Sequence, residues 1–282
     1  MENQRHNPLA GHFRQPAIYL RLPSDGQWWG KDAIEMPVNR EIAIYPMSTK
    51  DEILLRTPDA LLNGQGIVDV IQSCCPSIKN AWAMPSVDVD AVLIAIRIAT
   101  YGNNMKFDSK CSHCNDENTH EIELSGPLSS LTCPDFTAPL LYQDLKIRFK
   151  PQHYFSVNKS NMLEFEEQKI LNLLNAVNMT PEDKAKELTE SMDRLYKFGI
   201  AACTQSIEYV ELANGNRVDD EEFINEFLQN AESGLIKSLQ ERINEYTKHA
   251  KPDSLELACQ ACTKTYKIDL TFDYANFFGQ GF

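Results

Sequence analysis

The sequence predicts an α+β fold: a mostly helical core plus a β region whose two halves are stapled by cysteines across a long helical insertion. Three observations point to it. Short alternating runs, AIYLRLP near the start and YKIDL near the end, read as strands. The stretch VDVDAVLIAIRIAT is apolar on nearly every side at helical length. Two C-x-x-C pairs, Cys111 with Cys114 and Cys259 with Cys262, stand in matching contexts on either side of an acidic, helix-patterned segment.

Taken in order, residues 1–47 form an N-terminal β-rich segment. AIYLRLP and EIAIYPM are separated by Pro, Gly and the pair Trp28 and Trp29. Residues 48–158 form the helical core with the first cysteine knuckle and further strands. In STKDEILLRTPDALLNG, Thr49 with Glu52 fits a capping box, Pro58 a first helical position and Gly64 a stop. A short helix over Ile67–Cys75 follows. Next comes a core helix capped by Ser86 or Asp88 that runs to Thr100 and ends at Gly102, with Asp90 and Arg97 as the charges on its body. Residues 159–250 read as an acidic helical insertion of three or four amphipathic helices, broken near Met179–Pro181, Asn214–Asn216 and Ser233–Gly234. From 160 to 250 there are 18 acidic and 9 basic residues, and Leu188, Met192, Leu195, Gly199 and Ala202 recur at helical spacing. Residues 251–282 hold the second knuckle, a strand alternating from Tyr266, and an aromatic tail.

The composition bounds the function. With 282 residues, 43% hydrophobic and 9% aromatic, the chain is an ordinary globular one. A net charge of −13 argues against nucleic acid or an anionic membrane as a general partner, because phosphates need clustered Lys and Arg. MENQRHNPLAGHFRQPA contains no apolar run of secretory type, and the apolar stretch Ala91–Ile96 stops at Arg97, far short of a membrane span. These features place the chain in a cytoplasm, where paired thiols are reduced and available to metal.

CSHC supplies two thiolates, and a structural zinc ion needs four ligands. LELACQACTKTYKIDL repeats the arrangement of strand-like lead, C-x-x-C, polar turn and alternating strand, so Cys259 and Cys262 are the natural second pair. Each pair is expected at the tip of a β-hairpin, giving a four-thiolate, zinc-ribbon-like site. Cys259 lies 145 positions beyond Cys114. Closure entropy grows only logarithmically, so the long span costs on the order of 2 kcal/mol more than a short one, well below the binding energy of structural zinc. The competing readings are four unrelated buried thiols, a thioredoxin-like redox motif, substitution by His113, His120 or Cys133, and half-sites shared between copies of a homo-oligomer. A closed four-cysteine site has no open position, so it implies folding rather than catalysis.

No reaction assembles elsewhere: the chain contains no G-x-S-x-G, no Walker-type glycine loop and no H-E-x-x-H. Cys74, Cys75 and Cys203 read as core thiols, and Asp219 to Glu222 as the acidic start of a helix. Phe277, Phe278 and Phe282 in DYANFFGQGF, together with Trp28 and Trp29, are candidate protein-interaction anchors, with packing back onto the chain's own core as the alternative for the tail.

STKDEILLRTPDALLNG, the run from Val68 to Gly102, and the C-x-x-C at Cys111 and Cys114 together resemble the baseplate proteins of T-even-type contractile-tailed bacteriophages. That family includes a baseplate hub subunit and a hub-assembly factor. The resemblance covers about a quarter of the chain and, more loosely, the C-terminal C-x-x-C strand, but not the acidic helices between Ser160 and Ala250. It implies a non-enzymatic hub component or assembly chaperone whose partners are other baseplate hub proteins, acting in the host cytoplasm during assembly, with retention in the tail baseplate left open. The alternatives are a zinc-ribbon regulator of nucleic acid or a polymerase, disfavoured by Asp116, Glu117, Glu121 and Glu123 beside the first knuckle, and a metal or thiol-redox enzyme.

Overall fold

The structure, a computed structural model, describes residues 9–57, 64–176, 180–270 and 277–278. It is a mixed helix and strand architecture built on two large apolar cores and one small one.

The first core is organised by α3 (Ser86–Tyr101), in which every residue from Val87 to Arg97 except Asp90 is buried. Against it pack β1 (Ile18–Arg21) and β2 (Glu41–Ile44), paired antiparallel with Ile18 opposite Ile44, and the short helices α1 (Thr49–Leu55) and α2 (Gln65–Cys74). The capping box of α1 is Ser48 with Asp51, one residue ahead of the expected Thr49 and Glu52. Asp51 wins because its carboxylate also collects Arg14 at 3.2 Å and the Ser73 hydroxyl at 3.0 Å. Gly64 adopts φ +76 directly before α2, where an added Cβ would lie 2.7 Å from the Asn158 side chain. The expected helix start at Pro58 lies outside the described residues.

Neither Ser86 nor Asp88 caps α3 with its side chain. The Ser86 amide donates to the Gln152 carbonyl at 2.8 Å, and Asp88 turns inward. Its carboxylate accepts the Ser24 amide (2.8 Å), the Ser24 hydroxyl and the Trp29 indole N–H (2.9 Å). Burial pushes Asp88 up to about 6, against the lowering effect of those three donors. Arg97 is buried too, with its guanidinium over the rings of Tyr101 and Phe277.

The second core differs from the sequence reading. β5 (Leu140–Tyr142), β6 (Leu145–Phe149), β7 (Ile207–Glu211) and β8 (Arg217–Val218) form one antiparallel sheet in sequential order. The segment expected to be purely helical thus contributes two strands to a sheet begun before it, and position 159 falls inside a helix. The physical reason is local: Ile207 and Val210 are buried on the sheet's core side, and Asn214 with Gly215 (φ +84) supplies the hairpin turn. α7 (Glu221–Gln229) and α8 (Ser233–His249) cover this core through Ile224, Leu228, Leu235 and Leu239, and Asp220 caps α7 by accepting the Glu222 and Phe223 amides.

Between β6 and β7 the chain makes a helical excursion: α5 (Tyr154–Ala176) and α6 (Pro181–Gln205), each roughly 35 Å long at the usual helical rise. Its base is pinned where Phe149 pairs with Ile207 and the Lys150 amide donates to the Ser206 carbonyl.

Candidate metal centre

Two hairpins carry the cysteines. β3 (Asn104–Lys110) pairs with β4 (Glu117–Glu123), which the short helix α4 (Ser125–Ser130) follows, and β9 (Leu255–Ala258) pairs with β10 (Thr265–Ile268). Their tips are duplicates at the level of individual hydrogen bonds. The Cys111 amide donates to the Asp116 carbonyl and the Cys259 amide to the Lys264 carbonyl; the Asn115 amide donates to the Cys111 carbonyl and the Thr263 amide to the Cys259 carbonyl. Asn115 and Thr263 occupy the same position after each pair, and both have φ +61. Left-handed backbone is ordinary for Asn but strained for a β-branched Thr, so the second tip holds its shape against a local cost.

These tips bring Cys111, Cys114, Cys259 and Cys262 together, with all four sulfurs within 4.8 Å of one another. Cys111 Sγ lies 3.8 Å from Cys262 Sγ, and Cys114 Sγ lies 3.6 Å from Cys259 Sγ. A disulfide is about 2.05 Å long, so these are separate thiols. Four sulfurs at about 2.3 Å from one tetrahedral zinc would stand about 3.8 Å apart along each edge, so the spacing fits that ion. Backbone amides point at the sulfurs: His113 N–H at Cys111 Sγ (3.4 Å) and Cys262 N–H at Cys259 Sγ (3.5 Å). The amide of Cys262 foremost holds the Cys259 thiol down at about 6, with the Ala261 amide adding to it. Cys114 goes the other way, up to about 12: the Asp116 amide lowers it, but desolvation and the three neighbouring thiols outweigh that. Packed thiols cannot all ionise without a cation among them. The donor set, spacing and amide dipoles therefore suit a soft divalent metal.

The hairpins are also tied together around the sulfurs. Asn118, 1% exposed, donates to the Asp116 carbonyl and to Cys259 Sγ, and accepts the Gln260 amide at 2.7 Å. Buried Tyr266 meets Ser109 at 2.6 Å and His120 at 3.0 Å through its hydroxyl. His113 Nε2 lies 3.1 Å from the Thr265 carbonyl. His113 and His120 thus serve as braces outside the cysteine cluster, and Cys133 packs against the second core. Sequence reasoning missed Asn118 and Tyr266 as ties, since an Asn in a polar turn and an aromatic in an alternating strand have no distinguishing pattern.

The aromatic anchors are placed differently from expectation. Phe277 and Phe278 are 2% and 5% exposed and belong to the first core, stacked edge to face, so they are not free interface residues. Their own core offers apolar surface and the Arg97 cation, which is the alternative the sequence left open. Trp28 sits edge-on to Phe136, and Trp29 donates to Asp88, so each is half-buried with an intramolecular role. Phe282 lies outside the described residues. Among the described residues, no helix is long and apolar enough to cross a membrane.

Compared with known proteins, residues 18–279 match the sequence model of the family described as T4 bacteriophage base plate protein. The match runs through the helical segment 160–250 that the sequence resemblance had left out. No curated protein and no solved structure matches the chain.

Proposed function

Because the chain belongs to the T4 bacteriophage base plate protein family, we propose that it is a non-enzymatic hub component or hub-assembly factor that binds other baseplate proteins while the tail is built. The observation that supports a structural role is the cysteine cluster: four like donors at mutual tetrahedral spacing fill every position around a zinc ion and leave none for water or substrate. Cys111, Cys114, Cys259 and Cys262 would hold the ion, and its contribution would be folding energy.

Membership of that family supports partners among other tail proteins, and the net charge of −13 suits a protein that must stay soluble before docking. Quantitative mass spectrometry of purified virions tests the role. A fixed small copy number per particle identifies a hub component. Absence from particles, with tails failing when the gene is deleted, identifies an assembly factor. Normal infectious tails from the deletion would refute both.

A further inference from the structure

The eight cysteines are not equally open to reagents. Cys74, Cys75 and Cys203 are buried in the two large cores, Cys111 and Cys259 are buried at the knuckles, and Cys133 and Cys262 are half-buried; Cys114 alone is exposed. Ser112, His113, Asn115 and Asp116 around it are exposed as well, so Cys114 stands in the part of the first tip that water reaches. Across the gap between the hairpins, Cys259 Sγ lies 3.6 Å from Cys114 Sγ, and Cys262 Sγ lies 3.8 Å from Cys111 Sγ in the same crossed sense. Closing 3.6 Å to a disulfide of about 2.05 Å asks for about 1.6 Å of sulfur movement, which side-chain rotation supplies. Cys259 itself is 2% exposed beneath the Asn118 side chain, so a reagent in solution meets Cys114 first.

We propose that Cys114 is an oxidation site, at which a peroxide turns the four-thiolate site into a Cys114–Cys259 disulfide that keeps the two hairpins joined. The chemistry has two steps. The Cys114 thiolate attacks one oxygen of hydrogen peroxide, the O–O bond breaks, hydroxide leaves and a sulfenic acid forms; the sulfur loses the two electrons that the peroxide gains. The Cys259 thiolate then attacks the Cys114 sulfur, an S–S bond forms, the S–O bond breaks and a second hydroxide leaves. Two thiolates, Cys111 and Cys262, remain of the four, too few to hold a structural ion. The pairing matters more than the oxidation. A bond within either C-x-x-C would let the hairpins part, whereas Cys114 to Cys259 crosses between them and spans the same 145 positions as the metal site. Exposure selects the cysteine that is attacked, and the crossed geometry selects the one that answers. Outside a reducing cytoplasm no thiol pool reverses the reaction, so there the disulfide would take over the closure of the ribbon. The inference rests on the four-cysteine metal reading for its starting state and on the baseplate reading for the change of surroundings.

The test uses purified full-length protein, assayed for zinc and then exposed to hydrogen peroxide near neutral pH. Released zinc is followed with a colorimetric chelator, sulfenic acid is trapped with dimedone present during the reaction, and disulfides are mapped by mass spectrometry of non-reduced digests. Dimedone should mark Cys114 at least about tenfold above any other cysteine, and the Cys114–Cys259 peptide should exceed Cys111–Cys114 and Cys259–Cys262 by a similar factor. In the oxidised, zinc-free protein, amides of both knuckles should exchange within about threefold of the zinc form. Cys114→His keeps a zinc ligand and removes the attacked sulfur, so it should slow peroxide-driven zinc release by about tenfold or more. First labelling at another cysteine, a disulfide within one C-x-x-C, knuckle amides that open as zinc leaves, or equal release from a zinc-loaded Cys114→His would each overturn the proposal. Where that variant holds no zinc, the mapping of the wild type decides alone. Protein that carries no zinc before treatment overturns the metal reading and this inference with it, a result distinct from a misplaced disulfide. Virion copy number decides the baseplate role separately.

Discussion

Removing the metal should open the two hairpins while leaving both large cores closed. The perturbation is Cys259→Ser, or chelation of the wild-type protein. With both cores folded the chain between the two pairs is already ordered, so the clip contributes the metal's own binding energy, roughly 10–16 kcal/mol for a structural zinc site. What remains between the hairpins without it is a handful of hydrogen bonds, His113 to Thr265, Asn118 to Gln260 and Tyr266 to Ser109 and His120, each contributing about 1 kcal/mol. β9 and β10 are four-residue strands paired only with each other, and an isolated two-stranded hairpin is marginal in water. Hydrogen exchange read by mass spectrometry should therefore show amides of 109–118 and 255–268 losing roughly a thousandfold protection, while those of α3 and of the first hairpin's base, where Met105 and Ile122 sit in the first core, change less than about threefold. Zinc, expected at one per chain in the wild type, should be lost from the variant. Unchanged zinc, or ribbon amides as protected without metal as with it, would refute the assignment of these four cysteines to one structural ion.

Four further outcomes follow from the geometry. Asp88→Ala leaves the Ser24 amide, the Ser24 hydroxyl and the Trp29 indole N–H without their shared acceptor, and should cost about 3 kcal/mol by urea denaturation. With its folded value raised to about 6 from the ordinary 3.8, Asp88 opposes folding by about 3 kcal/mol above pH 6 and not at all below 3.8; the stability difference between wild type and Asp88→Asn should therefore shift in favour of wild type as the pH is lowered from 7 to 4, and a flat difference would contradict the raised value. Thr263→Gly relieves a left-handed β-branched residue and should raise stability by about 1 kcal/mol in thermal melting, whereas the same change at Asn115 should gain less. Arg194→Met leaves Glu167 without its cation, so exchange protection along α5 and α6 should fall while that of the four-stranded sheet holds.

The sequence carried the cysteine site well because its information is local and repeated: C-x-x-C, a turn and an alternating strand, twice. The core helix was equally plain, since a run with no polar face has only one place to go. What escaped was set by long-range pairing. β7 and β8 hid inside a helical segment because five- and two-residue strands leave little periodicity, and only β6 makes them a sheet. The cap of α1 moved by one residue because Asp51 is held by Arg14 and Ser73, both distant in sequence. The apolar stripe of α6 was visible as a stripe, but periodicity cannot say which way a helix is turned. Here Ile200 and Cys203 turn into the second core, and Ser191 and Arg194 meet Glu167, which leaves the stripe outward.

The distance between the two knuckles also sets a clock on synthesis. At ribosomal rates of about 5–20 residues per second, Cys259 follows Cys114 by roughly 7–30 s. Throughout that interval the emerging chain shows two thiols with half a coordination sphere, while the core helix, the arm and most of the sheet have time to form. The second hairpin arrives after the body it must close upon, so capture of an ion by the four cysteines would act as a final latch. A nascent chain interrupted anywhere in the insertion is left with an unfilled pair of thiolates, chemically distinct from the finished protein.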